Sequence, residues 1–212
     1  MTSYSRSLIV SRVLISIAVL VSAYIFIGSA LPLLTLNERA LAKFDGRRLW
    51  IVLHVITASV PLIVGPIQIW LGLRGKWPSI HRKLGVAYIC CIAISACIAF
   101  YLAIKIDGPM GEAAGFFGAG ILWLITTSMA YFSVRKHRYE QHKDWMIRSY
   151  VVTLAFVWFR VIVIIGREVK IGTFDDRLVV AAWCSWLVPL LMTELLFWRR
   201  KRLLRNESVL PE

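Results

Sequence analysis

The groups in this sequence with chemistry to offer stand within or at the edge of apolar runs: His54, His81, His142, Arg160 and Glu194. Polar and ionisable groups at membrane depth are expensive, so they face a bundle interior or a cavity. Two imidazoles at matching depth on facing helices can ligate a haem iron from both sides. His81 and His142 meet that requirement on paper, each at the start of an apolar run and each followed by a cation, Arg82 and Lys143. They are our candidate haem ligands, and the only candidates for a metal bond, through haem iron. His54 has no histidine partner at its depth, so at most one bis-histidine haem b is expected.

Arg160 cannot shed its charge. An arginine at the middle of a spanning helix costs at least about 2.5–3.5 kcal/mol on the insertion scale, less near an interface. It needs carbonyls, a carboxylate, a ligand or a route to the headgroups. A second chemistry is therefore a pocket for a quinone-like or lipid ligand, lined by His54, Gln68 and Arg160 with Trp145 and Arg148, and with Phe156 and Trp158 nearby. A third is transport along inward polar groups, beside a helix broken by Pro61 and Pro66. Glu194, five residues before Arg199, is expected to form a local ion pair or to snorkel. His137 lies in a polar link and reads as solvated. No G-x-S-x-G, H-E-x-x-H or phosphate-binding loop is present, so nucleophilic hydrolysis has no support.

These residues fall on stripes. His54, Thr57, Pro61, Gly65 and Gln68 recur at spacings of 3 and 4 and share one helical face. His81, Gly85, Tyr88 and Ser95 form a second stripe. His142, Trp145, Ser149, Thr153, Phe156 and Arg160 form a third. Gly118, Gly120, Trp123, Thr126, Thr127 and Ser128 spread more widely. Pro61 and Pro66 also free backbone carbonyls that something inside the membrane must satisfy.

The elements that carry the stripes are long and apolar. Of the 212 residues, 58% are hydrophobic and 17% charged, and the mean hydropathy is +0.69. Soluble domains have about 45–50% apolar and about 25% charged residues, so a soluble protein and a disordered one are both excluded. A span needs about 20 apolar residues, and six stretches supply them: 13–34, 49–73, 84–104, 116–134, 146–166 and 178–198. We expect one integral membrane domain over 1–212, all-α and polytopic, with six transmembrane helices. Stretches two to five carry the stripes and should form a four-helix core, flanked by the first and sixth. Arg6, Arg12, the first apolar run and Gly28-Ser29-Ala30 also resemble a secretory signal, but the run is longer than a usual signal core.

The net charge of +13 is topological. Sixteen Lys and Arg lie in the N-terminus, 74–83, 135–148 and the C-terminal tail, against eight in the intervening links. The positive-inside rule then places both termini in the cytoplasm. No basic stretch lies on a soluble module, so nucleic acid is not an expected partner. The lipid bilayer is, and a membrane protein partner is compatible. The cysteines Cys90, Cys91, Cys97 and Cys184 sit inside apolar runs without C-x-x-C spacing and read as small hydrophobes.

Several of these elements resemble a family. His54, Pro61-Leu62, Gly65-Pro66 and Gln68, then His81-Arg82-Lys83-Leu84-Gly85 and Tyr88, then His142, Trp145-Met146, Arg148-Ser149-Tyr150 and Arg160 are similar to the bacterial membrane family catalogued as domain of unknown function 2306. The resemblance covers about half the chain. It implies a bacterial inner (plasma) membrane and the topology above, and brings no activity with it. A weaker similarity is to the ascorbate-linked two-haem cytochrome b family, six helices with histidines on its four core helices. His54, His81 and His142 would be counterparts on the second, third and fifth stretches. The fourth stretch has no histidine, so the pair that would use His54 is missing.

The expectation is a small redox-associated membrane protein holding one b-type haem or a quinone-like ligand. The alternative is a non-enzymatic transporter or structural subunit without a cofactor.

Overall fold

Each apolar stretch is helical over its described residues in the computed structural model, which describes residues 20–75 and 77–207. Helix α1 is Leu20–Leu34, α2 Arg48–Arg74, α3 Pro78–Ile104, α4 Met110–Arg135, α5 Tyr139–Glu168 and α6 Phe174–Glu207. No strand occurs among the described residues. Helices α2 to α6 are each long and apolar enough to cross a membrane. At 1.5 Å per residue, 27 residues reach about 40 Å, past a hydrocarbon core of about 30 Å. The chain is an all-α polytopic membrane protein.

The first expected span is not a straight helix. Its residues 13–19 lie outside the described residues. The rest, α1, meets the short helix Glu38–Leu41 and its continuation to Phe44 at 92°, so it is a sixth span only if this bent pair is counted as one. Two local features make the elbow. Residues Phe26–Ala30 form a π-turn inside α1, with the Leu31 N–H reaching back to the Phe26 carbonyl. After Leu34 the chain turns through Leu36 at φ 54°, and Asn37 caps the next helix by accepting from the Ala40 N–H. The pattern of apolar residues carries no signal for either.

Helices α2, α3, α4 and the first half of α5 close a ring in that order, each packed on the next and α5 back on α2. Diagonal pairs, α3 with α5 and α2 with α4, therefore face each other across the bundle axis. The end of α2 at Gly75, the start of α3 at Pro78, the link 136–138 and the end of α6 share one face of the molecule, hereafter the C-terminal face. The links 45–47, 105–109 and 169–173 share the opposite face.

Helix α5 is two pieces, Tyr139–Thr153 and Ala155–Glu168, meeting at Leu154. The Thr153 hydroxyl donates to the Ser149 carbonyl four residues back, a competitor to the helical ladder that bends helices. The first piece stays in the ring. The second packs on α6. Helix α6 is thus more than a flank: Ala181 and Ala182 are fully buried, and the Trp183 and Trp186 indoles donate to the Gly111 and Gly115 carbonyls of α4. This explains the wide polar arc of α4, which has neighbours on two sides.

The α2 face carrying Pro61, Gly65 and Gln68 is buried as its spacing predicts. Pro66 has no N–H to give the Leu62 carbonyl. The Tyr150 hydroxyl of α5 donates to that carbonyl instead, at 3.4 Å. Gly65 makes room, since a Cβ there would lie 2.3 Å from the Tyr150 ring. Cys90 and Cys97 are exposed on the outer surface, not in the core, and all four cysteines are free.

Candidate functional site

The polar stripes meet along the bundle axis in three tiers. The middle tier is a closed network. Tyr88, 0% exposed, reaches across the diagonal from α3 to the Ser149 hydroxyl at 3.0 Å and the Thr153 hydroxyl at 3.3 Å on α5. The Trp123 indole of α4 donates to Thr153 at 2.9 Å, and Thr127 meets Ser149 at 2.8 Å. All the members are neutral and all find partners, as buried polar groups must in lipid. Sequence spacing placed each on its own stripe. It held no signal for which would meet.

Toward the opposite face stands His54. Its Nδ1 lies 3.1 Å from the Ser95 carbonyl of α3 and 3.0 Å from the Ser95 hydroxyl. A carbonyl only accepts, so Nδ1 carries the proton and Nε2 the lone pair. His54 is thereby tied to α3. Arg160, expected in the same pocket, is elsewhere: the cavity it lines is built from α1, the elbow and Lys43, without His54. The cause is the break at Leu154, which carries the second piece of α5 toward α6 and away from α2.

The C-terminal-face tier holds the two candidate haem ligands. His81 is in the first turn of α3 and His142 in the first turn of α5, on diagonal helices and within electrostatic range of each other. The His142 Nδ1 lies 2.9 Å from the Ala130 carbonyl of α4. By the same reasoning Nδ1–H donates, and Nε2 is presented. A histidine oriented this way through its far nitrogen is the usual state of a metal-bound imidazole. The His81 ring lies over Gly72 of α2, where a Cβ would sit 3.5 Å from its Cε1. Its Nδ1 is buried with no partner. Gln68 donates to the His81 carbonyl at 2.9 Å, and its own Oε1 is likewise buried and unpartnered. Each of these two residues therefore keeps one unmet polar atom.

Trp145 and Arg148 are drawn into a different task. Arg148, 13% exposed, pairs with Glu194 of α6 through two nitrogens at 2.5 and 2.9 Å. Its guanidinium lies between the rings of Trp145 and Phe197, 4.6 and 4.7 Å from their centroids. The partner of Glu194 is thus Arg148 on another helix, not the nearby Arg199. A bidentate pair held between two rings clamps α6 to α5. His137 is exposed in its link, 3.2 Å from the Tyr139 hydroxyl.

The polar axis runs through residues 54–153, and a family model described as "Predicted membrane protein (DUF2306)" matches residues 51–197. The chain belongs to this family. The match takes in α3, α4, α5, nearly all of α2 and α6 through the Glu194–Phe197 clamp. The family description states membrane residence and no activity, so any chemistry rests on the groups above. No curated protein and no solved structure matches the chain.

Proposed function

We propose that this protein is a small redox-associated membrane protein that would hold one b-type haem at the C-terminal face through His81 and His142. The observation that carries this reading is the state of the two imidazoles. They stand on diagonally opposed helices at one end of the bundle. One has its far nitrogen fixed by a backbone carbonyl, and the other has a ring nitrogen buried without a partner. That donor set fits a bis-histidine haem. When bound, such a group supplies one-electron transfer.

The chain's own residues set the conditions. The Ala130 carbonyl fixes the His142 tautomer and raises the basicity of Nε2. Helix α4 carries no histidine that could pair with His54, so the reading is limited to one haem. For a quinone-like ligand, an Nδ1–H of His81 would donate to a quinone carbonyl, and Gln68 Oε1 would accept from the hydroxyl of the reduced quinol.

A second reading is favoured by the saturation of the Tyr88 network: the polar axis holds a transporter or structural subunit together and binds no cofactor. An absorption spectrum of the full chain, purified in mild detergent from haem-replete cells, separates the readings. The expected result is a near-stoichiometric Soret band that sharpens on dithionite reduction. His81→Ala and His142→Ala should each abolish it while the protein still inserts. A folded, colourless protein overturns the haem reading. Quinone found in a solvent extract of that preparation would then support the other ligand.

A further inference from the structure

The elbow of α1 encloses a cavity of about 160 Å³, lined by Gly28, Ser29, Pro32, Ala40, Lys43 and Arg160 among others. Gly28 and Ser29 belong to the π-turn, a distortion often found at functional positions. Arg160 makes no hydrogen bond among the described residues, and its Nε is buried without a partner. Its guanidinium rests over the Phe156 and Phe159 rings, 5.7 and 5.9 Å from their centroids. The second cation, Lys43, is within electrostatic range of Arg160.

No carboxylate answers these two charges. None lines the cavity, and no ion pair is made by either residue among the described ones. The acids on this face are engaged elsewhere: Asp107 with Arg47, Glu38 and Asp45 with Arg48, Asp176 with Thr173. Glu112 and Asp175 lie near each other. Residues 1–19, outside the described ones, contain no Asp or Glu. Two cations lining one cavity repel, and an anion between them reverses that.

We infer that the elbow cavity is a binding site for a phosphate-type oxyanion, held between Arg160 and Lys43. Size narrows the class. Pockets for whole organic ligands run to about 300–1,000 Å³, so this one admits a charged head and not a large body. A lipid phosphate headgroup and a free phosphate share that chemistry. The site lies on the face away from His81 and His142 and stands apart from the haem reading.

The test uses the full chain in maltoside detergent, titrated separately with short-chain phosphatidylglycerol and with inorganic phosphate, against chloride at equal ionic strength. The readout is the thermal midpoint, which rises with a ligand that binds the folded state. A saturable rise with the lipid alone assigns a headgroup; a rise with phosphate as well assigns the free oxyanion. Arg160→Gln and Lys43→Gln should each raise the apparent Kd at least about tenfold, the loss of one charge-assisted contact. Lys43 is exposed, so Lys43→Gln decides the matter if Arg160→Gln does not fold. No saturable rise with either probe, or binding by Lys43→Gln equal to the wild type, overturns the inference.

Discussion

His54 and His142 each give the Nδ1 proton to a backbone carbonyl of a neighbouring helix, Ser95 in one case and Ala130 in the other. A histidine at a helix interface is thereby a strut as well as a reagent, and its removal has two consequences. Gly65 and Tyr150 show the same dependence of chemistry on fit. The Tyr150 ring occupies the volume a side chain at 65 would need, and its hydroxyl serves the carbonyl that Pro66 leaves free. Gly65→Ala should therefore destabilise the bundle by about 1–3 kcal/mol, the range for overpacking a tight core. Unfolding in mixed micelles would measure it. Adding Tyr150→Leu to Gly65→Ala should recover part of the loss, because the clash and the ring go together; strictly additive losses would contradict the contact. At this scale the sequence was informative about which carbonyls needed help. It was silent about Tyr150, whose spacing on α5 looks like that of any half-buried tyrosine.

The elements are long apolar helices, and two interruptions decide what they do. The break at Leu154 splits α5 between two neighbours, the ring and α6. The elbow packs the end of α1 on α2, and together with Arg160 from the second half of α5 it lines one cavity. Both involve a single side chain bonded to the backbone, the Thr153 hydroxyl donating to the Ser149 carbonyl and the Ala40 N–H donating to Asn37 Oδ1, which hydropathy does not register. The fixing of α6 is also an element property. Arg148 and Glu194 join α5 to α6 across 46 residues of sequence. With Glu194 at 47% exposure the pair is partly screened. Glu194→Gln and Arg148→Gln should each cost roughly 0.5–1 kcal/mol of stability. Their double variant should cost clearly less than the sum, the signature of residues that act as a pair. Any chromophore should be unchanged in Glu194→Gln, since this pair stands apart from the His81 and His142 nitrogens. A spectral change there would return Arg148 and Trp145 to the ligand site.

At the scale of the whole molecule, charge and fold agree on an alternating topology. The C-terminal face carries the links and tail richer in Lys and Arg, so the positive-inside rule predicts that face to be the cytoplasmic one. A fluorescent fusion at the C-terminus should be bright in a bacterial host. A phosphatase fusion in the 105–109 link should be active, because that enzyme matures outside the plasma membrane. The reverse pattern would invert the molecule and place the haem reading at the outer face. The outer surface is ringed by exposed Leu, Ile, Val and Trp, as a lipid-facing wall requires.

Composition and period alone determined the class of this protein, because a bilayer imposes length and apolarity on every span and leaves inward faces as the place for polar groups. They also determined which face of α2, α3 and α5 turns inward. The partners of those faces were decided by tertiary structure. Arg160 lines the elbow cavity with Lys43 and not with His54, Arg148 pairs with Glu194, and Tyr88 crosses the axis to Ser149 and Thr153. The physical reason is that periodicity fixes the direction of a side chain from its own helix axis. Its neighbour is fixed by how helices bend and pack, and those depend on single side-chain-to-backbone hydrogen bonds and on gaps of atomic size.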